Sequence, residues 1–417
     1  MLNNSHLCII WLFGLISGFN LMITGNTLNY WLAKENIALQ TIGILSFITL
    51  PYSINFLLAP VFDALQIKYL NKRFGHRLSW ICVTSSALVL LVYIFSFLDP
   101  STNLLVFAFT ALIISFFSAI QDTILSALRT EIVPKESLVF TSGIYICGYR
   151  VGMLLAGSGA IYLSIYLTFS AIYKIFAGLI FIYLILLIIG IKLNNTIHIQ
   201  IIKNDIKNNQ NKKNITNVIL NVLKPIGSVY FIILILIFLV LYRLPDNLIN
   251  VMINPFLLHL GYDTFEIASV GKFWGVVGAI IGGLVGGIIM KHKNILNSMF
   301  LFGIIHALGH ISFIFLEING KSSLLLFITI GIESITGGMT MTTYIAFISS
   351  LCQGKFRATQ YSFLSSMMGI SRSVFPVISG YMVVNFGWQN FFLFTIIITI
   401  PSLLILLKIK TKLQCNA

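Results

Sequence analysis

Runs of roughly twenty apolar residues follow one another along the whole sequence, and this pattern limits what the chain can fold into more than any motif does. A hydrocarbon layer about 30 Å thick takes about 20 residues of helix to cross. Inside it every peptide N–H and C=O must be bonded within the protein, because water is missing. Strands of an outer-membrane barrel would be about ten residues long and alternate in polarity, a pattern these segments lack. Only 9% of residues are charged against 58% hydrophobic, too little charge to cover a soluble surface. The reading is an all-α membrane protein with twelve crossings. They are placed at 7–28, 41–62, 79–98, 103–126, 139–163, 170–191, 226–250, 264–290, 295–316, 323–350, 359–384 and 387–408 and numbered 1 to 12. Crossing 1 has no basic stretch before it, holds Asn20 and Asn26 and lacks a small-residue cleavage site, so it is expected to stay as a helix rather than be removed as a signal peptide.

A net charge of +14 on a soluble chain would point to nucleic acid. Its distribution points to topology instead, and no nucleic-acid partner is expected. The loops after even-numbered crossings, together with the termini, hold nineteen Lys and Arg residues, whereas the other loops hold two, Lys34 and Lys321. By the positive-inside rule the first set, with both termini, is cytoplasmic. The one long loop, 192–224, is rich in Asn and Lys and cannot bury a core, so it reads as a cytoplasmic linker. It separates two bundles, 1–191 and 225–417, and an offset of 222 residues superposes Arg150 of crossing 5 on Arg372 of crossing 11. A six-plus-six repeat of this kind resembles the major facilitator class, in which the binding site lies between the halves near mid-bilayer.

Ionisable side chains in a bilayer are costly, so those that occur are expected to face a wet cavity or a partner. Crossing 4 carries Asp122, crossing 5 Arg150, crossing 7 Arg243 and Asp246, crossing 8 Lys272, crossing 10 Glu333 and crossing 11 Arg372. Crossings 3 and 9 carry no Asp, Glu, Lys or Arg, crossing 12 has only Lys408 at its last position, counted above with the C-terminus, and crossing 6 has only Lys174 near its end. Crossings 3, 6, 9 and 12 are the peripheral ones in a major facilitator. Arg150, Arg372 and Lys272 outnumber Glu333 and suit an anionic ligand, Arg through a planar fork and Lys as a compact charge. Glu333 is the candidate for proton uptake and release.

Other features have plainer readings. His306 and His310 lie four apart on crossing 9 without an evident third ligand and are read as packing residues. Gly278, Gly282 and Gly286 on crossing 8 suit close helix packing within the fold. Pro51, Pro60, Pro245 and Pro376 mark bends. Five scattered cysteines without a C-x-x-C pair indicate neither a disulfide framework nor a metal cluster. Asp63, followed by Lys72, Arg73, Gly75, His76 and Arg77, suggests a latch in the first cytoplasmic loop that favours one of two orientations of the halves. No phosphate-binding loop of the G-x-x-x-x-G-K type occurs, so neither a nucleotide nor any other cofactor is called for.

The residues resemble the AmpG-type muropeptide permeases within the major facilitators. TGNTLNYWLAKENIALQTIGILSF is similar to that family's passage from helix 1 to helix 2, and FLLAPVFD with GHR to its first cytoplasmic loop. QDTILSALRTEIVP and YRVGMLLAGSGAIYL match its helix 4 and helix 5 patterns. LYRLPDNL, GKFWGVVGAIIGGLVGG, GGMTMTTYIAFISSLC, ATQYSFLSS and SRSVFPVISGYMV continue the match in order. The resemblance implies a symporter of the bacterial inner membrane that imports anhydromuropeptides with protons for cell-wall recycling, acting as a monomer and not as an enzyme. By position it marks Gln121, Asp122, Arg129 and Glu131 in the helix 4 motif and Tyr149 and Arg150 in the helix 5 motif. Substrate contacts are expected from Arg150, Arg372, Lys272, Gln121, Tyr149 and Asn26, proton coupling from Glu333 and Asp122, and the latch from Asp63, Arg73, Arg77, Arg129 and Glu131. Two positions depart from the family: Ser126 stands where it has a second acidic residue and Ala64 where an Arg commonly follows the Asp. Another anionic cargo, nucleotide-linked or peptide-like, is the alternative. A membrane enzyme or sensor is the reading of another class, and the outer-loop acids Glu35, Asp99, Asp263, Glu266 and Glu317 show no paired spacing to support it.

Overall fold

The computed structural model describes residues 4–54, 75–133, 138–193, 228–352 and 357–415, together with Phe62, Leu65 and Ile67. Asp63, Ala64, Lys72, Arg73 and nearly all of the 192–224 linker lie outside the described residues, as does the side chain of Glu131. Regular structure among the described residues is helical throughout. Ten helical stretches are long and apolar enough to cross a membrane. The longest of them, Gln360–Lys412, is two crossings, because Gly387 at φ 81° breaks the helix where crossings 11 and 12 were expected to meet. Crossing 2 is described only as far as Ile54.

In chain order the helices are α1 (Asn4–Thr24), α2 (Asn26–Lys34), α3 (Leu39–Ile44), α4 (Leu50–Ser53), α5 (His76–Phe95), α6 (Leu104–Ile132), α7 (Leu138–Ala156), α8 (Ser158–Leu163) and α9 (Phe169–Leu193). After the linker come α10 (Val229–His259), α11 (Gly275–Met290), α12 (Ile295–Gly309), α13 (Ile311–Asn319), α14 (Ser323–Leu351), α15 (Arg357–Ser373), α16 (Val377–Ile397) and α17 (Thr399–Cys415). Starts are set by polar caps. The side chains of Asn103, Ser228, Asn294 and Ser322 accept hydrogen bonds from the first-turn amides of α6, α10, α12 and α14.

Crossing 2 departs from the continuous helix expected. Its described part runs α3, a tight 3-10 turn over Leu45–Thr49, then α4, with Pro51 in the first turn of α4 where its missing N–H leaves no bond unmade. Crossing 8 begins with a π-helical stretch, Ile267–Trp274, before α11.

The described residues fall into two compact units, those within Met1–Leu28 and Leu57–Ile215, and those within Asn29–Phe56 and Thr216–Ala417. These units follow the chain halves except that residues 29–54 pack with the second.

In the first unit α1 and α7 meet along a seam of small residues. A Cβ on Gly14 would overlap the Tyr145 carbonyl, one on Gly18 the Tyr149 carbonyl, one on Gly148 the Trp11 carbonyl and one on Gly152 the Leu15 carbonyl. In the second unit α11 meets α14 in the same way: Gly282 faces the Ile335 carbonyl, Gly286 the Met339 backbone and Gly338 the Ala279 carbonyl. The glycine repeat of crossing 8 is thus spent on packing inside the fold. Apolar burial brings no gain between helices already in lipid, so close backbone approach and van der Waals contact hold such pairs. The faces turned away, with Leu90, Phe109, Phe181, Leu284 and Leu404 exposed, are apolar enough to need lipid around them.

The segment from residue 29 to 54 docks on α15 and α16 by the same device. A Cβ on Gly380 would overlap the Leu39 carbonyl, and Gly369 lies against Ser53. Ser373, where α15 ends before Pro376, collects the polar groups of that segment: its carbonyl accepts from Ser46 Oγ at 3.1 Å and its hydroxyl lies 3.0 Å from both Thr49 Oγ1 and Ser53 Oγ.

Gly282→Leu is expected to lower the yield of monodisperse protein in detergent and its melting temperature, overpacking of this kind being worth roughly 1–3 kcal/mol or more. Gly287→Leu, one residue off the seam with nothing within 4 Å of its Cβ position, is expected to leave both unchanged. Fluorescence-detected size exclusion with thermal challenge reads the difference.

Candidate functional site

Each unit carries its own polar interior, built where glycine seams bring backbones close enough for short polar side chains to meet.

In the first unit, Gln121 of α6 is enclosed. Asn20 Nδ2 donates to its Oε1 at 2.8 Å, and its Nε2 donates to Ser85 Oγ at 2.6 Å, tying α1, α5 and α6 together. Both ends of the amide are used, so the residue expected to contact substrate braces three helices in this structure. One position on, Asp122 accepts from the Tyr145 hydroxyl at 3.1 Å, and the same hydroxyl lies 2.9 Å from Ser17 Oγ. Arg129, a turn or two further along α6, donates to Ser142 Oγ at 2.8 Å and lays its guanidinium over the Tyr145 ring at 4.8 Å from the centroid. Tyr145 therefore links Asp122 to Arg129, two residues assigned to separate roles in the sequence. It was not singled out there; it lies four residues before Tyr149 on the same face of α7, and only the seam with α1 shows that this face is internal. Ser126, the departure from the family pattern, also hydrogen-bonds Tyr145.

Arg150, on the same helix, is half-buried, and no hydrogen bond or ion pair joins it to the other described residues. Tyr149 and Asn26 are likewise half-buried, and Arg77 is buried at the start of α5. Asp63 and Arg73, the other members of the expected latch, are outside the described residues.

In the second unit, Lys272 sits in the π-helical stretch ahead of α11, half-buried, with Glu333 of α14 as its charged neighbour but no direct ion pair between them. A π-turn widens the helix locally and often accompanies a functional site. Glu333 accepts from Ser334 Oγ at 3.0 Å. Arg372 of α15 stacks on the Tyr52 ring, 5.6 Å from centroid to guanidinium carbon, and its Nε is buried without a hydrogen-bond partner. The three cations expected to bind an anion are thus all without a direct carboxylate partner among the described residues.

Crossing 7 differs. Arg243 forms an ion pair with Asp246 one turn along α10, and Asp246 Oδ1 lies 3.0 Å from His306 Nε2 of α12. His306 and His310 were read from the sequence as packing residues of a peripheral helix without a third partner. Both rings are indeed buried, but inside the unit, and Asp246 is the neighbour that spacing could not reveal.

The outer-loop acids have structural work. Asp263 and Glu266 form a reciprocal capping box, and Glu266 also accepts from Ser323 at 2.7 Å and pairs with Lys321 at 3.0 Å. The same hydrogen bond to Glu266 raises the pKa of Lys321 from its ordinary value. Asp99 holds Ser101 through its side chain and backbone, and those bonds lower its pKa. None of these sites pairs two carboxylates for acid–base work.

A profile described as the Major Facilitator Superfamily matches residues 10–332 and 299–413. A Rickettsia conorii protein that carries the transporter name AmpG 1 is 91% identical over 417 residues, covering 99% of this chain and all of that one. The Escherichia coli anhydromuropeptide permease is 29% identical over 408 residues, 97% of this chain and 80% of that protein. Among solved structures, the nucleoside transporter NupG aligns with a TM-score of 0.73 at 13% identity over 97% of this chain and 98% of that one, a likeness of fold alone.

Tyr145→Phe removes the hydroxyl shared by Asp122 and Ser17 while keeping the ring under Arg129. A loss of about 1–2 kcal/mol in unfolding stability is expected, as for a buried hydrogen bond broken on one side, and it is read as a lowered melting temperature relative to the unaltered chain.

Proposed function

Because the chain belongs to the major facilitator superfamily, a family of multi-pass membrane transporters rather than enzymes, we propose that it imports anhydromuropeptides across the bacterial inner membrane. In this reading import is driven by protons and proceeds by alternating access of its two halves, 1–191 and 225–417, joined by the 192–224 linker. Both termini and the basic loops face the cytoplasm, and the monomer is the working unit.

One observation carries the choice of an anionic cargo: Arg150, Lys272 and Arg372 are held at least half-buried in crossing helices, and no carboxylate among the described residues pairs with them directly. A cation kept in low dielectric without a partner is unfavourable until a counter-charge arrives. A peptide carboxylate is a planar, two-oxygen counter-charge that Arg binds with paired donors. The name of the E. coli relative, anhydromuropeptide permease, supports a cargo of that class.

In this proposal Arg150, Arg372 and Lys272 bind the carboxylates, and Tyr149 and Asn26 supply neutral contacts. Gln121 serves the same site by fixing α1 against α5 and α6. Glu333 beside Lys272 and Asp122 beside Tyr145 are the proton-coupling carboxylates. Asp63, Arg73, Arg77, Arg129 and Glu131 form the cytoplasmic latch.

The test is uptake of labelled anhydromuropeptide into vesicles containing the purified chain, with an inward-directed proton gradient imposed. Gradient-dependent accumulation is expected, competed by unlabelled anhydromuropeptide and not by nucleotide or simple dipeptide. Arg150→Gln and Arg372→Gln are each expected to lower uptake about 10- to 100-fold, the factor for one charge-assisted hydrogen bond of about 1.5–3 kcal/mol. Glu333→Gln should abolish the response to the gradient. Accumulation without a gradient, or stronger competition by nucleotide, would reject this assignment.

A further inference from the structure

The hydrogen bonds around His306 bear on how many protons it shares with its neighbours. Thr336 Oγ1 lies 2.7 Å from the Ile332 carbonyl and 3.1 Å from the Glu333 carbonyl, and its single hydrogen goes to one of them. With that hydrogen on the helix, the same oxygen presents a lone pair toward His306 Nδ1 at 2.8 Å, an assignment in which Nδ1 carries a proton. On its other edge Nε2 faces the Asp246 carboxylate oxygen at 3.0 Å, and two lone pairs at that distance would repel unless a proton lies between them. A neutral imidazole beside an ionised carboxylate owns one ring proton. The geometry needs two.

We infer that Asp246 and His306 hold one extra proton between them inside the second unit, and that this pair is a proton-binding site of the transport cycle. The extra proton belongs to the pair. Imidazolium with carboxylate and imidazole with carboxylic acid are two placements of the same proton. Arg243 occupies Asp246 Oδ2 and leaves Oδ1 to His306, which keeps the carboxylate pinned while the proton comes or goes.

The site has a neighbour able to take that proton. His310 Nδ1 lies 3.2 Å from Thr395 Oγ1, and with that hydroxyl donating to the Phe392 carbonyl at 2.7 Å the proton of His310 is assigned to Nδ1. Its Nε2 lone pair is fully buried and has no hydrogen-bond partner, and its ring centroid is 4.6 Å from that of His306. A buried acceptor beside a protonated ring is an arrangement a proton can step along.

The charged and titratable groups facing the pair are Arg243 and Tyr242 from α10, His310 from α12, and Glu333 from α14, behind which lies Lys272. Donor atoms of Asp246, His306 and His310 lie within 4.8 Å of one another. With Arg243 fixed on the carboxylate, however, a divalent cation there would add two charges beside a standing guanidinium, whereas a proton adds one. The charge balance favours the proton.

The role in transport rests on the proton-driven reading above, whereas the proton count does not, and the experiment has one arm for each. In the first arm the full chain, labelled with 15N-histidine in lipid bilayers, is examined by solid-state NMR and infrared spectroscopy, with His306→Gln and Asp246→Asn used for assignment. Expected is either a doubly protonated His306 or a protonated carboxyl band that disappears in Asp246→Asn. A neutral His306 with its proton on Nε2 beside an ionised Asp246, the Thr336 hydroxyl having turned to Nδ1, would overturn the proposal. So would zinc retained in stoichiometric amount by the purified chain and lost in His306→Gln. In the second arm His306→Gln, whose amide can still bridge Thr336 and Asp246, is compared with the unaltered chain in proteoliposomes. Equal-pH exchange is expected to persist within about threefold while gradient-driven accumulation falls at least tenfold. Unaltered accumulation would overturn the coupling role, and so would parallel loss of exchange and accumulation with a lowered melting temperature. If the unaltered chain itself shows no gradient-driven uptake, the cargo or driving-force reading fails while the first arm still decides the proton count.

Discussion

In lipid no solvent stands ready to satisfy a polar group, and the rest of this structure follows from that. Backbone amides are closed into helices, and the polar side chains that remain must find one another. Small residues make this feasible. Where Gly14, Gly18, Gly148 and Gly152 bring α1 onto α7, the backbones are near enough for Ser17, Asp122 and Tyr145 to meet by hydrogen bonds about 3 Å long. Where Gly278, Gly282 and Gly286 bring α11 onto α14, Lys272 and Glu333 come within electrostatic reach. The seams are therefore part of the site's construction.

The charged residues sort into two groups. Arg129 and Arg243 have found partners within their own units, in Ser142 and the Tyr145 ring, and in Asp246. Arg150, Arg372 and Lys272 have no direct carboxylate partner among the described residues. An ionisable group at mid-bilayer costs at least about 2.5–3.5 kcal/mol on insertion scales, so three such groups together weigh against domain stabilities of roughly 5–15 kcal/mol. A fold that keeps them must recover the cost elsewhere, and binding an anion is a direct way to do so.

The segment from residue 29 to 54 belongs by sequence to the first half and by packing to the second unit. Gly43, Gly369 and Gly380 allow the approach, and the Ser373 carbonyl and hydroxyl gather Ser46, Thr49 and Ser53. These are short hydroxyl contacts without any formal charge, each individually modest.

The succession of apolar blocks made the crossing helices legible, because a crossing depends on local composition and on lipid thickness alone. Pro376, read as a bend, does lie between α15 and α16 for the same local reason. The positions of Arg150, Lys272, Glu333 and Arg372 within crossing helices were legible too, since a charge in an apolar run stands out whatever it touches. Partnership was not legible. That Gln121 is enclosed by Asn20 and Ser85, that Tyr145 joins Asp122 to Arg129, and that Asp246 reaches His306 across 60 residues are facts of tertiary contact. Hydropathy treats Tyr145 and His306 as ordinary members of apolar helices. Only the angle at which one helix meets another decides whether such a side chain faces lipid or completes a polar network, and that angle is set by glycines acting on a neighbour far away in sequence.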